Sequence, residues 1–430
     1  MNKLKGVFLN ILVIGSGGRE HALCWAISKS TKCKNLYCIP GNAGIEEIAK
    51  CYNLNPSNKK EIYNFCNNYS IEFVVIGPEV HLEEGLSNYL ISKKLKVFGP
   101  SREASKLETS KVFSKKFLKK NKIPTGDSEA FNNLKDSEIH IKSIKAPYVI
   151  KVDGLAAGKG VIICKTKNKA LKTLNDIFIK NRYGKAGRKI IIEEFLEGFE
   201  ISYFSFFDKD NILTFTYALD HKKAKNGDRG LNTGGMGAFT PSQKVSKKLE
   251  NQILKQIILP TKKGLKNENI IYRGIIFFGL MITKEGPKVI EYNVRFGDPE
   301  CQTILRNCNF DLLELLYATS TDSLKGKKVL LEKKNVICVV LASIGYPEKY
   351  KKGKIINGIE KAKKIDGVEI FHSGTIKEKN KFLSNGGRVL SVTAKAETIK
   401  LAREKAYEAL KKINWKDGFY RNDIGIKNFK

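Results

Sequence analysis

Within the first hundred residues, the apolar runs "NILVIG", "NLYCIPG", "EFVVIGPE" and "KVFGPS" alternate with longer amphipathic segments. Those segments, "REHALCWAISKS", "KKEIYNFCNNYS" and "LEEGLSNYLISKK", repeat apolar residues near the helical period. Strands joined through helices return in the same direction, so the alternation predicts a parallel sheet covered by helices. In such a sheet, ligands sit beyond the carboxyl ends of the strands. Two turns occupy that position: Gly15 to Glu20, and Gly77-Pro78-Glu79.

The first turn, "GSGGRE", places Gly15, Gly17 and Gly18 between a strand and a helix. A dinucleotide fingerprint requires a third spaced glycine where this chain has Glu20, and an acid after the second strand. That strand runs instead into Pro40-Gly41-Asn42, which disfavours NAD. Free N–H groups at a helix start, with Arg19 beside them, suit a monophosphate; a tight turn needing glycine for backbone reasons explains the same residues. Glu79 can accept hydrogen bonds from a sugar hydroxyl or an amine.

Beyond residue 104 the alternation loosens. Residues 105–125 read as one helix ending at "NKIPTG". The strands "YVIKVD" and "GVIIC" flank the loop "GLAAGKG", containing Gly154, Gly158, Lys159 and Gly160. It is not a P-loop: the glycine spacing is short, no Ser or Thr follows the lysine, and a strand follows instead of a helix. "RKIIIEEFLEGFEIS" reads as a buried strand entering an acidic turn with Glu193, Glu194 and Glu200. Its edge can offer backbone groups to an adenine, and a carboxylate further on can grip a ribose; ordinary surface acids fit the same pattern. "KVIEYNVRFGDPE" is the most specific stretch. Alternation puts Glu291, Asn293 and Arg295 on one face, with Ile290, Tyr292 and Val294 on the other. Two oxygen ligands and an arginine suit Mg²⁺ and phosphoryl transfer. From about residue 330 the pattern suggests a small α+β unit.

A chain of 430 residues accommodates two to four packed units. The formal charge of +33 raises nucleic-acid binding, but the lysines fall on polar helix faces and turns and do not interleave with aromatics. Nine cysteines without Cys-x-x-Cys and five dispersed histidines give no metal-ligand spacing, so buried reduced thiols are expected. No window approaches the ~18 apolar residues of a membrane span. The N-terminus lacks a signal-peptide cleavage pattern, so a cytoplasmic location is expected, with neither nucleic acid nor membrane as a partner.

Taken in order, "VIGSGGREHAL", "PGNAG", "VIGPE", "SKVFSKKFL", "VIKVDGLAAGKGVII", "IIEEFLEG", "DHK", "NTGGMGA", "VIEYNVRFGDPE", "NGGRVLSVTA" and "RNDIGIK" resemble the glycinamide ribonucleotide synthetase (phosphoribosylamine–glycine ligase) family of the ATP-grasp superfamily. The resemblance implies an α/β and α+β multidomain chain. Its parts would be an N-terminal parallel α/β substrate-binding domain over 1–104, an ATP-grasp domain over 105–328 with a mobile subdomain near 127–195, and a C-terminal α+β domain over 329–430. It implies a stand-alone ligase, expected as a monomer, joining glycine to 5-phosphoribosylamine with ATP and Mg²⁺ or Mn²⁺. The spacing alone also fits another ATP-grasp carboxylate–amine ligase.

Residue by residue, the resemblance implies that Lys111, Lys151 and the glycine loop meet the ATP phosphates. Glu193, Phe195 and Leu196 would meet the adenine, and Glu200 the ribose. Glu291 and Asn293 would hold the metal. Arg295, Gly297 and Asp298 would surround the phosphates, glycine and ribosylamine, together with Asp220, His221, Lys222 and the run Asn232, Thr233, Gly234, Gly235, Met236 and Gly237. Lys151, Arg295 and Asp298 would be catalytic. Gly17, Gly18, Arg19, Glu20, Gly77, Pro78 and Glu79 would bind the sugar phosphate side. The strand Gly279 to Ile282 carries no acid, so no further metal ligand is assigned there.

Overall fold

The computed structural model describes residues 8–156 and 160–426. Its first sheet contains β1 (Leu9–Gly15), β2 (Cys33–Pro40), β3 (Lys50–Cys51), β4 (Phe73–Ile76) and β5 (Lys96–Phe98) in the order β3-β2-β1-β4-β5. Every pairing in it is parallel, as the alternation requires. The sheet grows outward from β1, so the turns after β1 and β4 open side by side at its carboxyl edge.

The stretch expected as one helix is two, Arg102–Thr109 and Lys111–Lys120. Ser110 is extended between them, and its side chain accepts the Phe113 N–H, a cap that restarts the helix in a new direction. Asp153 completes the start of the second helix, accepting from the Ser110 hydroxyl and the Val112 N–H.

A small antiparallel sheet follows, with β6 (Ser128–Phe131), β7 (Tyr148–Val152), β8 (Val161–Cys164) and β9 (Ile190–Glu194) in the order β6-β9-β7-β8. Ile150, Val152, Ile190 and Ile192 pack with Leu174 and Ile177 of its helices into a core of its own. Next come β10 (Phe199–Phe207), β11 (Ile212–Asp220), the hairpin β12 (Lys223–Lys225) and β13 (Arg229–Asn232), then β14 (Gly237–Thr240), β15 (Gly274–Thr283) and β16 (Gly286–Asn293). The last part supplies β17 (Asn335–Ser343), β18 (Ile355–Ile356), β19 (Val368–His372), β20 (Thr375–Glu378), β21 (Lys381–Ser384), β22 (Arg388–Ala396) and β23 (Gly418–Phe419).

β18, β21 and β20 make a small three-stranded sheet of their own, but β17, β19, β22 and β23 are not detached from the strands before them. β14 pairs with β17, so one nine-stranded sheet runs β16-β15-β10-β11-β14-β17-β22-β19, with β23 beside β17. The N-terminal sheet also shares its cores: Val13 and Val75 lie in one cluster with Phe204, Phe277 and Leu313. All nine cysteines are free thiols, and six of them are buried. Among the described residues no helix is long and apolar enough to cross a membrane.

Candidate active site

A cavity of about 1420 Å³ lies where the small sheet, the β15–β16 edge and the turns after β1 and β4 converge. One part of its wall is a buried charge cluster. Glu193 on β9 stands opposite Val149 of β7, and Lys151, two residues on, shares that face. The Lys151 ammonium lies 2.9 Å from the Glu193 carboxylate and donates to the Ile290 carbonyl at 3.1 Å. Lys115 reaches the same carboxylate at 3.2 Å and donates to Thr125 and Gly126. Burial pulls the Lys115 ammonium down to about 8, with Glu193 acting against that pull. One Glu193 oxygen, Oε1, is buried and accepts no hydrogen bond. Phe195, Leu196 and Glu200 line the wall beyond it, and Glu200 pairs with Lys222 at 2.8 Å. Lys111 lines the cavity and donates to the Gly154 carbonyl at 3.0 Å, tying the loop's near end to the helix it starts. Gly160 stands just before the return strand, and a Cβ there would stand 2.7 Å from Val152. Gly158 and Lys159 lie outside the described residues.

Glu291 and Asn293 face the cavity from β16, with the Asn293 amide 3.4 Å from a Glu291 oxygen. Tyr292 and Val294 pack in the core. Ile290 departs from the expected alternation. The β15–β16 register pairs Gly279 with Glu291 and Leu280 with Val289, leaving Ile290 as a bulge that lines the cavity beside Glu291. A bulge re-aims the residues around it. Bare backbone at Gly279 leaves room for Glu291: a Cβ there would stand 3.0 Å from its Cγ. Burial opposes ionisation of Glu291, but Lys222, Lys151 and Lys111 outweigh it and hold the carboxyl below its ordinary range. An ionised carboxylate beside an amide oxygen fits a divalent cation that takes its other ligands from phosphate and water.

Arg295 lies past the end of β16, in the turn rather than on the strand face. It still lines the cavity, bound to Glu79 at 3.0 Å and to Glu108 at 2.8 Å. Burial raises the Glu79 carboxyl, but Arg295 and Arg19 reverse this and hold it at about 2. Glu108 is deeper: burial lifts its carboxyl to about 7 despite Arg295, and it accepts the Val294 N–H at 2.7 Å. The sign follows. Between the ordinary carboxylate range and pH ~7, folded Glu108 binds more proton than the unfolded chain does. Its contribution to stability is therefore full at low pH and declines as pH rises to about 7. Melting temperatures of Glu108→Gln across pH 5 to 7.5 should show a shallower decline than those of the parent. Parallel curves would place the titration elsewhere.

In the turn after β1, two of the N–H groups expected to meet a phosphate, those of Gly17 and Arg19, already donate to carboxylates. Glu20 folds back to accept from the Gly17 N–H at 2.7 Å and the Arg19 Nε at 2.5 Å. Asp298 takes the Arg19 N–H, and the Phe296 carbonyl takes a guanidinium N–H. Gly18 is a packing residue, since a Cβ there would stand 2.4 Å from Gln302. At Gly77 a Cβ would stand 2.0 Å from Glu20, so glycine admits the buried carboxylate. Arg19 and Glu79 line the cavity; Gly17, Gly18, Glu20, Gly77 and Pro78 do not, Gly17 and Pro78 being half-buried and the other three buried.

Another part of the wall is built by "DHK" and "NTGGMG", joined to the first by the Lys222–Glu200 pair. Asp220 ends β11 with one buried oxygen, Oδ1, that accepts no hydrogen bond. Burial and the neighbouring Glu300 hold its carboxyl well above the usual range. Glu300 is 3% exposed and accepts only the Ser202 hydroxyl, at 3.0 Å, from another side chain. His221 turns to the C-terminal segment, its Nε2 accepting the Gly425 N–H at 3.4 Å. Asn232, Thr233 and Gly234 line the cavity. Met236 is fully buried, Gly237 lies against the Cys338 carbonyl, and Gly297 makes room for Glu300, so these three serve packing. Among the wall residues that the sequence reading did not assign are Lys115, Glu108, Glu300 and Arg388. All but Glu108 stood inside quoted motifs, but nothing in their spacing pointed inward.

The cavity's charges divide. Glu79, Glu108, Glu193, Glu200 and Asp298 each have a cationic side chain within 4.0 Å. Among the described residues Glu291, Asp220 and Glu300 have none, nor do Glu194, Glu197 and Glu348. Nor is there any cluster of three or more His, Cys, Asp or Glu arranged to hold a metal.

The chain matches the N, ATP-grasp (A) and C domain models of phosphoribosylglycinamide synthetase over residues 9–108, 109–301 and 336–427. It is 42% identical over 417 residues to the phosphoribosylamine–glycine ligase of Brucella melitensis, covering 97% of both chains. The crystal structure of phosphoribosylamine–glycine ligase from Thermotoga maritima superposes with a TM-score of 0.85 at 32% identity, covering 96% of this chain and 100% of that one. A biotin carboxylase from Campylobacter jejuni shares the fold, with a TM-score of 0.71 at 14% identity over 96% of this chain and 93% of that one. A shared fold alone would leave the chemistry open, but domain matches along nearly the whole chain and close full-length relatives do not: the protein belongs to the phosphoribosylglycinamide synthetase family.

Proposed function

We propose that this protein ligates glycine to 5-phosphoribosylamine, converting ATP to ADP and phosphate and yielding glycinamide ribonucleotide for purine biosynthesis. The observation that carries the reading is the cavity's lining. Lys111, Lys115 and Lys151 suit a polyphosphate, and Asp220 and Glu300, with no cationic side chain within 4.0 Å among the described residues, suit an ammonium group. ATP lies along these lysines. The free Glu193 oxygen accepts from the adenine amino group, the backbone of Phe195 and Leu196 meets the ring edge, and Glu200 holds the ribose. Lys111 and Lys151 contact the phosphates beneath the loop starting at Gly154. The small sheet has its own core, which supports its closing over the nucleotide as a body.

Glu291 and Asn293 would hold a Mg²⁺ or Mn²⁺ ion, which when bound neutralises phosphate charge and polarises the transferring group. The chain's own contribution is positioning. Arg295, braced by Glu79 and Glu108, points at the space between nucleotide and acceptor. Asp220 and Glu300 orient glycine by its ammonium, so its carboxylate faces the terminal phosphate. Phosphorylation turns a poor electrophile into an acyl phosphate. The ribosylamine nitrogen then attacks the acyl carbon, and phosphate leaves.

ADP release by the purified protein should require Mg²⁺, glycine and phosphoribosylamine together. Release indifferent to glycine would overturn the reading. Asp220→Asn should raise the KM for glycine by roughly 10- to 100-fold, the worth of a hydrogen bond to a charged group, and leave the KM for ATP near its parent value. An unchanged glycine KM would move the ammonium elsewhere.

A further inference from the structure

We infer that Arg388 is a positioning residue for the acceptor half of the reaction, clamping the Asn232–Met236 loop to the Gly297–Pro299 turn from the C-terminal part of the chain. The inference rests on the ligase reading above.

The backbone first aims the side chain. Arg388 opens β22, and the β17–β22 register shifts there: Leu341 pairs with Leu390, and Ala342 with Arg388. Val389 is the extra residue, and such a bulge turns its neighbours off the regular alternation. The two preceding glycines allow the approach. A Cβ on Gly387 would stand 2.3 Å from the Tyr346 ring, and one on Gly386 would stand 2.8 Å from the Gly374 Cα. The strand is thus pressed against its surroundings at the point where Arg388 leaves it.

The guanidinium then joins separate pieces of chain. Nη1 donates to the Gly234 carbonyl at 2.7 Å and the Asp298 carbonyl at 2.5 Å, with the Gly235 carbonyl at 3.3 Å. Nη2 stands 3.5 Å from the Asp298 carboxylate. The group lies against Gly234, where a Cβ would be 3.0 Å from its Cζ. From the other side, the Tyr346 hydroxyl accepts the Gly234 N–H at 3.1 Å. Gly234 is therefore gripped through both its backbone polar groups by residues outside the loop. The turn it is clamped to touches the loop directly, since a Cβ on Gly235 would stand 2.4 Å from Pro299. Asp298 passes the constraint onward, because its carboxylate also accepts the Arg19 N–H and the Gln302 amide.

A planar fork meets several carbonyls at once, which a lysine ammonium on a flexible stem does not reproduce. The clamp sits on the walls facing Asp220 and Asp298, far along the chain from the nucleotide-facing Lys151 and Glu193. A lapse in positioning of this kind can cost two orders of magnitude in rate without loss of binding elsewhere.

The test compares Arg388→Ala and Arg388→Lys with the parent in full steady-state kinetics, beside melting temperatures. The parent's requirement for glycine and phosphoribosylamine is established first; a parent that needs neither sinks the ligase reading before Arg388 is judged. With that requirement met, Arg388→Ala should lose about 100-fold in kcat/KM for phosphoribosylamine or glycine while its KM for ATP stays within about threefold. Arg388→Lys should remain well below the parent, and millimolar guanidinium should restore part of the Arg388→Ala loss. Unchanged acceptor parameters would overturn the inference. So would all three KM values moving together with a fallen melting temperature, the mark of a merely structural arginine.

Discussion

Glu291→Gln should fold nearly as the parent does and turn over roughly 10²-fold or more slowly, the scale seen when one preorganised charge stabiliser is removed. The substitution keeps shape and removes charge. Glu291 has no cationic side chain within 4.0 Å among the described residues, so no ion pair breaks. The fold should therefore notice little. The three lysines around it lose their common counter-charge, and a divalent cation loses the anionic ligand that would draw it in among them. A readout independent of turnover separates the metal from other roles. In EDTA, parent and variant should bind ATP with similar affinity; with Mg²⁺ added, only the parent's affinity should rise. Excess Mg²⁺ or Mn²⁺ should recover part of the lost turnover. Parent-like turnover at limiting Mg²⁺ would remove the metal assignment and with it the anchor of the phosphoryl-transfer step.

Periodicity carried the sequence reading where one rule decides the outcome. Four strands joined by amphipathic helices have to pair in parallel, and they do, so the turns holding Arg19 and Glu79 fell at the sheet's carboxyl edge as expected. It failed where a single residue breaks the rule. Alternation assigned Ile290 to the core; the bulge opposite Gly279 put it in the cavity, and no local signal in "KVIEYN" marks a bulge. Ser110 split a continuous amphipathic pattern because a serine cap is visible only once the bend is known. The start of the helix at Gly18 suited an anion, and the chain's own Glu20 and Asp298 carboxylates take the Gly17 and Arg19 N–H groups there. Arg388, Glu108 and Glu300 were illegible for a different reason. Each meets a partner far along the chain, Arg388 at Gly234 and Asp298, Glu108 at Arg295 and Glu300 at Ser202, and such pairing is what one sequence without relatives does not show.

Lys151 is where the largest loss should come from a residue that touches no metal. It is 3% exposed, so its ammonium is held away from water by Glu193 and the Ile290 carbonyl rather than floating toward solvent. A buried ammonium without partners would cost several kcal/mol; here the partners are built in, and the charge stands ready for phosphate. Lys151→Met keeps length and apolar stem and removes the charge. Lys115 remains within 3.2 Å of Glu193, so that carboxylate is not stranded and the fold should survive. The nucleotide loses a fixed cation beside its phosphates, and the free Glu193 oxygen is no longer braced from the cavity side. Together these should lower kcat/KM for ATP by on the order of 10²- to 10³-fold. Lys151→Arg should not rescue it, because a guanidinium needs a wider site than one pinned between Glu193 and a strand carbonyl. The discriminating variant is Lys115→Met. It breaks the other half of the same pair but faces Thr125 and Gly126. If Lys151 acts on ATP and Lys115 only holds Glu193, Lys115→Met should raise the KM for ATP with far less loss of kcat. Equal losses from the two would mean that both lysines merely brace Glu193, and the phosphate contact would have to be assigned to Lys111 alone.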